Sequence, residues 1–207
     1  MKFDHDNISP LDSRYANKIS ELRENFSESA LIKIRFNIEI EWLLYICVNL
    51  PKTFKPLSKQ SIKKIAKFKD SFDNKSILKI KKIESITNHD VKAVEYYIRD
   101  QFLKDKVLST YTHLIHFGLT SEDINSLSYA HMIKNGISIY IMKLDKVNKI
   151  LKNYSKKWAK QPFLARTHGQ AASPSTLGKE FKVFHERINR EIQHLKSIKP
   201  LAKFSGA

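Results

Sequence analysis

The 207 residues, 42% hydrophobic and 28% charged with five Gly and six Pro, have room for one domain or two small ones and exclude collagen-like and low-complexity chains. Lys and Arg number 37 against 21 Asp and Glu, a net charge of +16, but the excess is thirty lysines to seven arginines spread along the whole chain. A base-reading protein would be richer in Arg, whose fork pairs bidentately with guanine, so the charge favours a solvated lysine surface over a nucleic-acid patch, while still drawing in a small polyanion.

Met1 to Asp6 carries acids where a signal peptide needs an apolar stretch, which points to a cytoplasmic protein. Residues 1–26 read as irregular, with a turn-rich loop from Ser9 to Tyr15 and a short helical stretch near Lys18 to Asn25. The spacing then predicts a helix from Ser27 to Asn49, capped by Ser27, with Leu31, Ile34, Ile38 and Trp42 on its apolar face. It holds the longest apolar run, Trp42 to Val48, far short of the roughly 20 residues of a membrane span. It also holds the single cysteine, Cys47, which cannot form an internal disulfide and fits a reducing compartment.

Pro51 and Pro56 break the chain, and short amphipathic helices are expected near Ser58–Phe72 and Ile77–Ile86. Asn88 or Asp90 can cap the next helix, which carries Val91, Val94 and Ile98 on one face. A further short helix, Leu108–Phe117, is ended by Gly118. Thr120 to Asp123 has the form of a capping box opening a long helix, Ser121–Lys160, where Gly136 marks a bend or a close contact. Pro162 to Ser173 reads as a loop, and a second long helix is expected to Lys199, capped by Ser173 with Pro174 in its first turn. Its apolar residues Leu177, Phe181, Phe184, Ile188, Ile192 and Leu195 keep helical spacing. No segment reads as a strand. The fold class is all-α, with a short-helix domain over 1–115 and the long helices of a bundle over 116–207.

Thr167-His168-Gly169-Gln170 is the sharpest chemical candidate. A His in a loop held by two helices can serve as a proton donor or acceptor near neutral pH, or it can simply hydrogen-bond to backbone. Asn88-His89-Asp90 at a helix start suits an anion, and equally a plain cap. Thr120-Ser121 allows the same two readings. His113 and His116 stand three apart, but no further Cys or His lies at metal-ligand spacing, so no metal is expected.

Taken in order, Ser9-Pro10-Leu11-Asp12-Ser13-Arg14-Tyr15, Thr87-Asn88-His89-Asp90-Val91-Lys92-Ala93-Val94-Glu95-Tyr96, His116-Phe117-Gly118-Leu119-Thr120-Ser121-Glu122-Asp123-Ile124-Asn125, Arg166-Thr167-His168-Gly169-Gln170 and Pro174-Ser175-Thr176-Leu177-Gly178-Lys179-Glu180 resemble the adenylosuccinate lyase family, in its longer bacterial form. That family lies within the fumarase/aspartase superfamily of helical tetrameric lyases. The resemblance implies a C–N lyase without cofactor, releasing fumarate from adenylosuccinate to give AMP and from the succinyl-carboxamide ribotide (SAICAR) to give AICAR. By the same resemblance His168 is the general acid. Arg14 and Tyr15 touch the nucleotide, and Asn88, His89 and Asp90 line the site. Thr120 and Ser121 hold a carboxylate of the succinyl arm, Thr167 and Gln170 support the pocket, and His116 is a weaker candidate.

Two departures stand out. Ala171 replaces the Pro that usually follows Thr-His-Gly-Gln. The mobile loop with a Met-Pro-x-Lys core, which supplies the family's Ser base, has no counterpart among these residues. The expectation is an N-terminal portion, the first domain plus about half of the central one, with little activity alone. The alternative is a non-catalytic basic helical scaffold or nucleic-acid binder.

Overall fold

The computed structural model describes residues 8–206. The location inferred from Met1 to Asp6 therefore lies outside the described residues. In chain order the elements are α1 (Ser20–Phe26), α2 (Glu28–Asn49), α3 (Lys59–Asp70), α4 (Asn74–Thr87), α5 (Asp90–Leu103), α6 (Ser121–Lys157), β1 (Pro162–Thr167), β2 (Gln170–Thr176) and α7 (Leu177–Ser197). Short 3-10 turns cover Ala16–Lys18 and Leu108–Leu114. The chain forms two compact units. One takes in the described residues up to Ile133 with the segment from Pro200, and the other is Lys134–Lys199.

In the first unit, helix starts follow local side-chain chemistry. Ser27 and Ser58 accept the Ala30 and Ser61 N–H groups at 3.2 and 3.0 Å, relieving one of the free donors at each N-terminus. Asp73 and Ser76 close a reciprocal capping box at α4. At α5 the cap is His89, whose Nδ1 accepts from the Lys92 N–H at 3.3 Å. Asn88 instead ends α4 in the left-handed conformation, φ 50°, so the expected Asn88 or Asp90 cap is corrected.

The buried face of α2 is also displaced from expectation. Ile32, Phe36, Ile40, Leu43 and Ile46 are buried, while Leu31, Ile34, Ile38 and Trp42 are half-buried. Apolar residues line more than one side of this helix, so periodicity alone left its rotation ambiguous. Phe36 stacks on Phe72 at 4.3 Å and meets Phe68 edge-on at 5.2 Å. Tyr97 joins this ring cluster and donates its hydroxyl to Ser76 Oγ at 2.8 Å. The helix expected at Leu108–Phe117 is a 3-10 turn ending at Leu114. His116 and Gly118 follow it with φ of 61° and 70°, so His113 and His116 do not share a helix face.

In the second unit the far part of α6 packs antiparallel to α7. Gly178 N–H donates to the Trp158 carbonyl at 2.9 Å, and His185 Nδ1 lies 2.7 Å from Asn148 Oδ1. A Cβ on Gly178 would stand 2.5 Å from the Ser155 carbonyl and 2.6 Å from Ala159 Cα, so only glycine allows this approach. Tyr154, Trp158 and Phe181 close the same junction with centroids 4.7–5.3 Å apart.

The segment expected to be a loop is a two-stranded antiparallel hairpin. Pro162 pairs with Thr176 and Thr167 with Gln170, and an irregularity between Leu164 and Arg166 places an extra residue on β2. The strand pairing carries the chain through Ser173 and Pro174 in extended form. Helix α7 therefore starts later than expected, capped by Thr176, whose Oγ1 accepts from the Lys179 N–H at 3.2 Å. The fold remains mostly helical, with this hairpin as its one sheet among the described residues. No helix among those residues is long and apolar enough to cross a membrane.

Candidate active site

The Ser9–Tyr15 loop is a run of turns. Asp12 and Tyr15 N–H donate to the Ser9 and Pro10 carbonyls at 2.9 and 3.0 Å. Arg14 is exposed, and its guanidinium lies 5.5 Å from the centre of the Tyr15 ring. No hydrogen bond or ion pair links Arg14 or Tyr15 to the other candidates among the described residues.

Asn88, His89 and Ser121 come together in the first unit. His89 sits at the α4–α5 junction and Ser121 at the start of α6, with Nε2 and Oγ 3.4 Å apart. Because Nδ1 of His89 accepts from the Lys92 N–H, the neutral ring carries its proton on Nε2 and offers it toward the Ser121 hydroxyl. An open groove beside them is lined by Lys81, Glu84, Ser85, Asn88 and Asp90.

A set of buried charges lies behind this pair. Arg35, 4% exposed on α2, donates to Asp90 Oδ2 at 2.7 Å and from Nε to Asn125 Oδ1 at 2.9 Å. One guanidinium thus ties α2 to the start of α5 and the start of α6. Burial raises the Asp90 carboxyl, but the Val91 N–H and the Arg35 charge outweigh it and hold it below the usual range.

Thr120 is fixed by Asp123, whose Oδ2 accepts from the Thr120 N–H at 2.8 Å and its hydroxyl at 3.0 Å. Asp123, 3% exposed, also accepts from Lys203 Nζ and the Ser205 and Gly206 N–H groups at 3.0–3.2 Å. Burial opposes its charge, yet the Thr120 and Ser205 amides and Lys203 hold the carboxyl far below the usual range. His116 Nδ1 lies 2.5 Å from Glu39 Oε1, and Glu39 is 1% exposed. Burial lowers the imidazole, but the Glu39 hydrogen bond and charge raise it further, so the net shift is upward.

Arg35 and Glu39 were not singled out from sequence, and Asp123 was read only as a helix cap and Asn125 only as part of a longer motif. The available signal was two opposite charges one turn apart, Arg35 and Glu39, inside the apolar stripe of α2.

In the second unit, Thr167, His168, Gly169 and Gln170 form the tip of the hairpin, all exposed. His168 and Gly169 have φ of 51° and 78°, the pair of left-handed residues that a two-residue type I′ turn requires. Asn-Gly is the usual solution, and a His in this conformation is uncommon. The backbone therefore holds the imidazole at an exposed apex, in a conformation of the kind that gathers at functional sites. Its ring has no hydrogen-bond partner among the described residues, which leaves both nitrogens open to a ligand.

The model of a family described as "Lyase" matches residues 13–207. The chain is 40% identical over 202 residues to the adenylosuccinate lyase of Buchnera aphidicola subsp. Schizaphis graminum and 37% to that of Escherichia coli K12. These alignments cover 96% and 97% of this chain but 44% of each relative, so the chain spans under half their length. In three dimensions it resembles the crystal structure of a fumarate lyase from Mesorhizobium sp. BNC1. The TM-score is 0.72 at 20% identity, covering 91% of this chain and 42% of that one. The likeness extends the shared helical fold to a distant sequence, and with a family match over residues 13–207 the chain belongs to the lyase family.

Proposed function

We propose that this chain is the N-terminal portion of an adenylosuccinate lyase, a cytoplasmic homotetramer that releases fumarate from adenylosuccinate and from the related succinyl-carboxamide ribotide. The observation that carries the reading is similarity to adenylosuccinate lyases at 37–40% identity along nearly the whole chain. Residues 1–115 are read as the N-terminal domain and 116–207 as the start of the central long-helix domain. In the reaction a proton leaves the carbon beside a carboxylate, its electron pair forms the double bond of fumarate, and the C–N bond breaks. The departing nitrogen of AMP takes up a proton.

His168 is the group we assign to that last transfer, since its imidazole is exposed, fixed at a hairpin apex and free at both nitrogens. His89 and Ser121 present N–H and O–H donors side by side for a carboxylate of the succinyl arm. Asn88, Asp90 and Thr120 shape their surroundings, Thr167 and Gln170 hold the apex through their strand pairing, and Arg14 and Tyr15 offer a cation and a ring to the nucleotide.

The test follows the ultraviolet absorbance change as adenylosuccinate becomes AMP and fumarate. The 207 residues contain no Met-Pro-x-Lys stretch, so this chain alone should turn over little substrate. A longer product of the same reading frame containing that stretch should be active. His168→Ala in it should cost about 10²–10⁴ in rate, the usual worth of a general acid, with the fold intact. Full activity of that variant would remove His168 from its role. A longer product that binds no adenylosuccinate and cleaves none would overturn the reading.

A further inference from the structure

Arg35 is a charge buried where an apolar side chain would pack as well. It is 4% exposed and lies on α2 one residue before Phe36, which is fully buried in the aromatic cluster. Burying an ion costs desolvation that its partners recover only in good geometry, and apolar replacements of buried ion pairs are often as stable. The attested use of such a group is to fix one register of the parts it joins. The parts joined here are the two helix starts that carry His89 and Ser121.

Among the described residues two bridges join the start of α5 to the start of α6. The outer one is the exposed contact of His89 Nε2 with Ser121 Oγ, 3.4 Å long and at the far end of hydrogen-bond range. The inner one runs through Arg35, whose Nη2 donates to Asp90 Oδ2 at 2.7 Å and whose Nε donates to Asn125 Oδ1 at 2.9 Å. Both inner contacts are short, and the guanidinium plane fixes the angle between them. Asp90 directly follows His89 and is held to α5 by the Val91 N–H, which donates to its Oδ1 at 2.8 Å. Asn125 lies one helical turn on from Ser121 along α6. The outer contact, long and open to water, is too weak to set this spacing, and the buried fork is not.

We propose that Arg35 is a positioning residue of the candidate site: by holding Asp90 and Asn125 with one guanidinium it sets the gap between His89 and Ser121. The inference rests on the reading given above, in which these two side chains take a carboxylate of the succinyl arm. Two donors grip one carboxylate only when their spacing suits its oxygens, so the gap decides how well that group is held. Lysine is no substitute here, since an ammonium keeps the charge but lacks the planar fork that meets two acceptors on different helices.

The experiment pairs NMR of the 207-residue chain with kinetics of the longer product. In the wild-type chain a nuclear Overhauser contact should join the His89 ring to the Ser121 β-protons. Arg35→Lys and Asn125→Ala should each lose it, while the ring signals of Phe36 and Tyr97 keep their native positions. In the longer product each variant should raise KM for adenylosuccinate about tenfold, the worth of one hydrogen bond to a charged group. The kcat should change little, because the gap governs binding of the carboxylate and not the proton transfers. The double variant should raise KM no further than either change alone, since both cut the same bridge.

A wild-type His89–Ser121 contact in a folded Arg35→Lys or Asn125→Ala chain overturns the proposal, and so does an unchanged KM. A merely structural Arg35 would lower the melting temperature and leave both readouts at their wild-type values. If Arg35→Lys does not fold, Asn125→Ala, which keeps the guanidinium and its Asp90 partner, decides in its place. A longer product that cleaves no adenylosuccinate fails the family reading, whereas the contact needs no turnover and still decides whether Arg35 sets the gap.

Discussion

The first unit encloses an apolar core of its own, and the second leaves most of its apolar face uncovered. In the first, Phe36, Ile40, Leu43, Ile98, Phe102 and Leu114 are each fully buried within one cluster. In the second, Ile192 is the one hydrophobic side chain that is buried among the described residues, while Tyr140, Met142, Val147, Ile150 and Phe184 are exposed at 43–57%. Yet both regions carry regular apolar spacing in sequence. Spacing shows that a helix has an apolar face, and a separate count of neighbours shows what covers it. Uncovered stripes of this length belong at interfaces, which supports the proposed homotetramer.

The widest separation of the two units should come from matched truncations. Phe36→Ala removes a ring at the centre of the aromatic cluster and should cost about 3–5 kcal/mol. Phe184→Ala should stay within about 0.5 kcal/mol in dilute chain, and urea unfolding reads both. Equal costs would break the comparison. Within the second unit, Gly178→Ala drives a methyl into the backbone of Ser155 and Ala159 and should cost about 1–3 kcal/mol by overpacking. Its signature is loss of Trp158 fluorescence change on unfolding rather than of the first unit's transition.

Asp123 sharpens the comparison from the other side, because it fastens residues 203–206 to the first unit. Its folded carboxyl lies below the unfolded value of 3.8, so its contribution is full above that pH and fades as pH falls through the folded value. The wild type should therefore exceed Asp123→Asn in urea midpoint near neutrality, with the margin shrinking under acid. A margin independent of pH would remove the charge from the explanation. The smallest effect is expected at the hairpin tip. His168→Asn supplies the residue that type I′ turns prefer and should raise stability by less than about 1 kcal/mol, visible as a small rise in melting temperature. A marked loss would contradict the strained-apex description.

Helix boundaries were legible where the determinant is local. Ser27 and Ser58 each reach an N–H three residues on, and the long α6 start was readable from Thr120 to Asp123. The hairpin was not legible, because Pro162–Thr176 has neither strict alternation nor a run of β-branched residues, and its turn is His-Gly rather than Asn-Gly. His89 as a cap escaped for a similar reason, since an imidazole nitrogen is an unusual acceptor there. The charges behind the site were least accessible of all: Arg35 and Glu39 meet Asn125 and His116 at separations of 90 and 77 residues, contacts that only the folded chain creates. The motif residues His89, Ser121 and His168 were legible through resemblance, whereas the His89–Ser121 contact and the left-handed apex were not.

The contrast between the units is tested most directly by residue-resolved hydrogen exchange of the 207-residue chain in dilute and concentrated solution. Amides of α2 and α5 should exchange slowly at both concentrations, because their protection comes from a core within the chain. Amides of α7 and the far part of α6 should exchange orders of magnitude faster in dilute solution and slow down as copies associate. Uniform protection across both units, unchanged by concentration, would contradict the account.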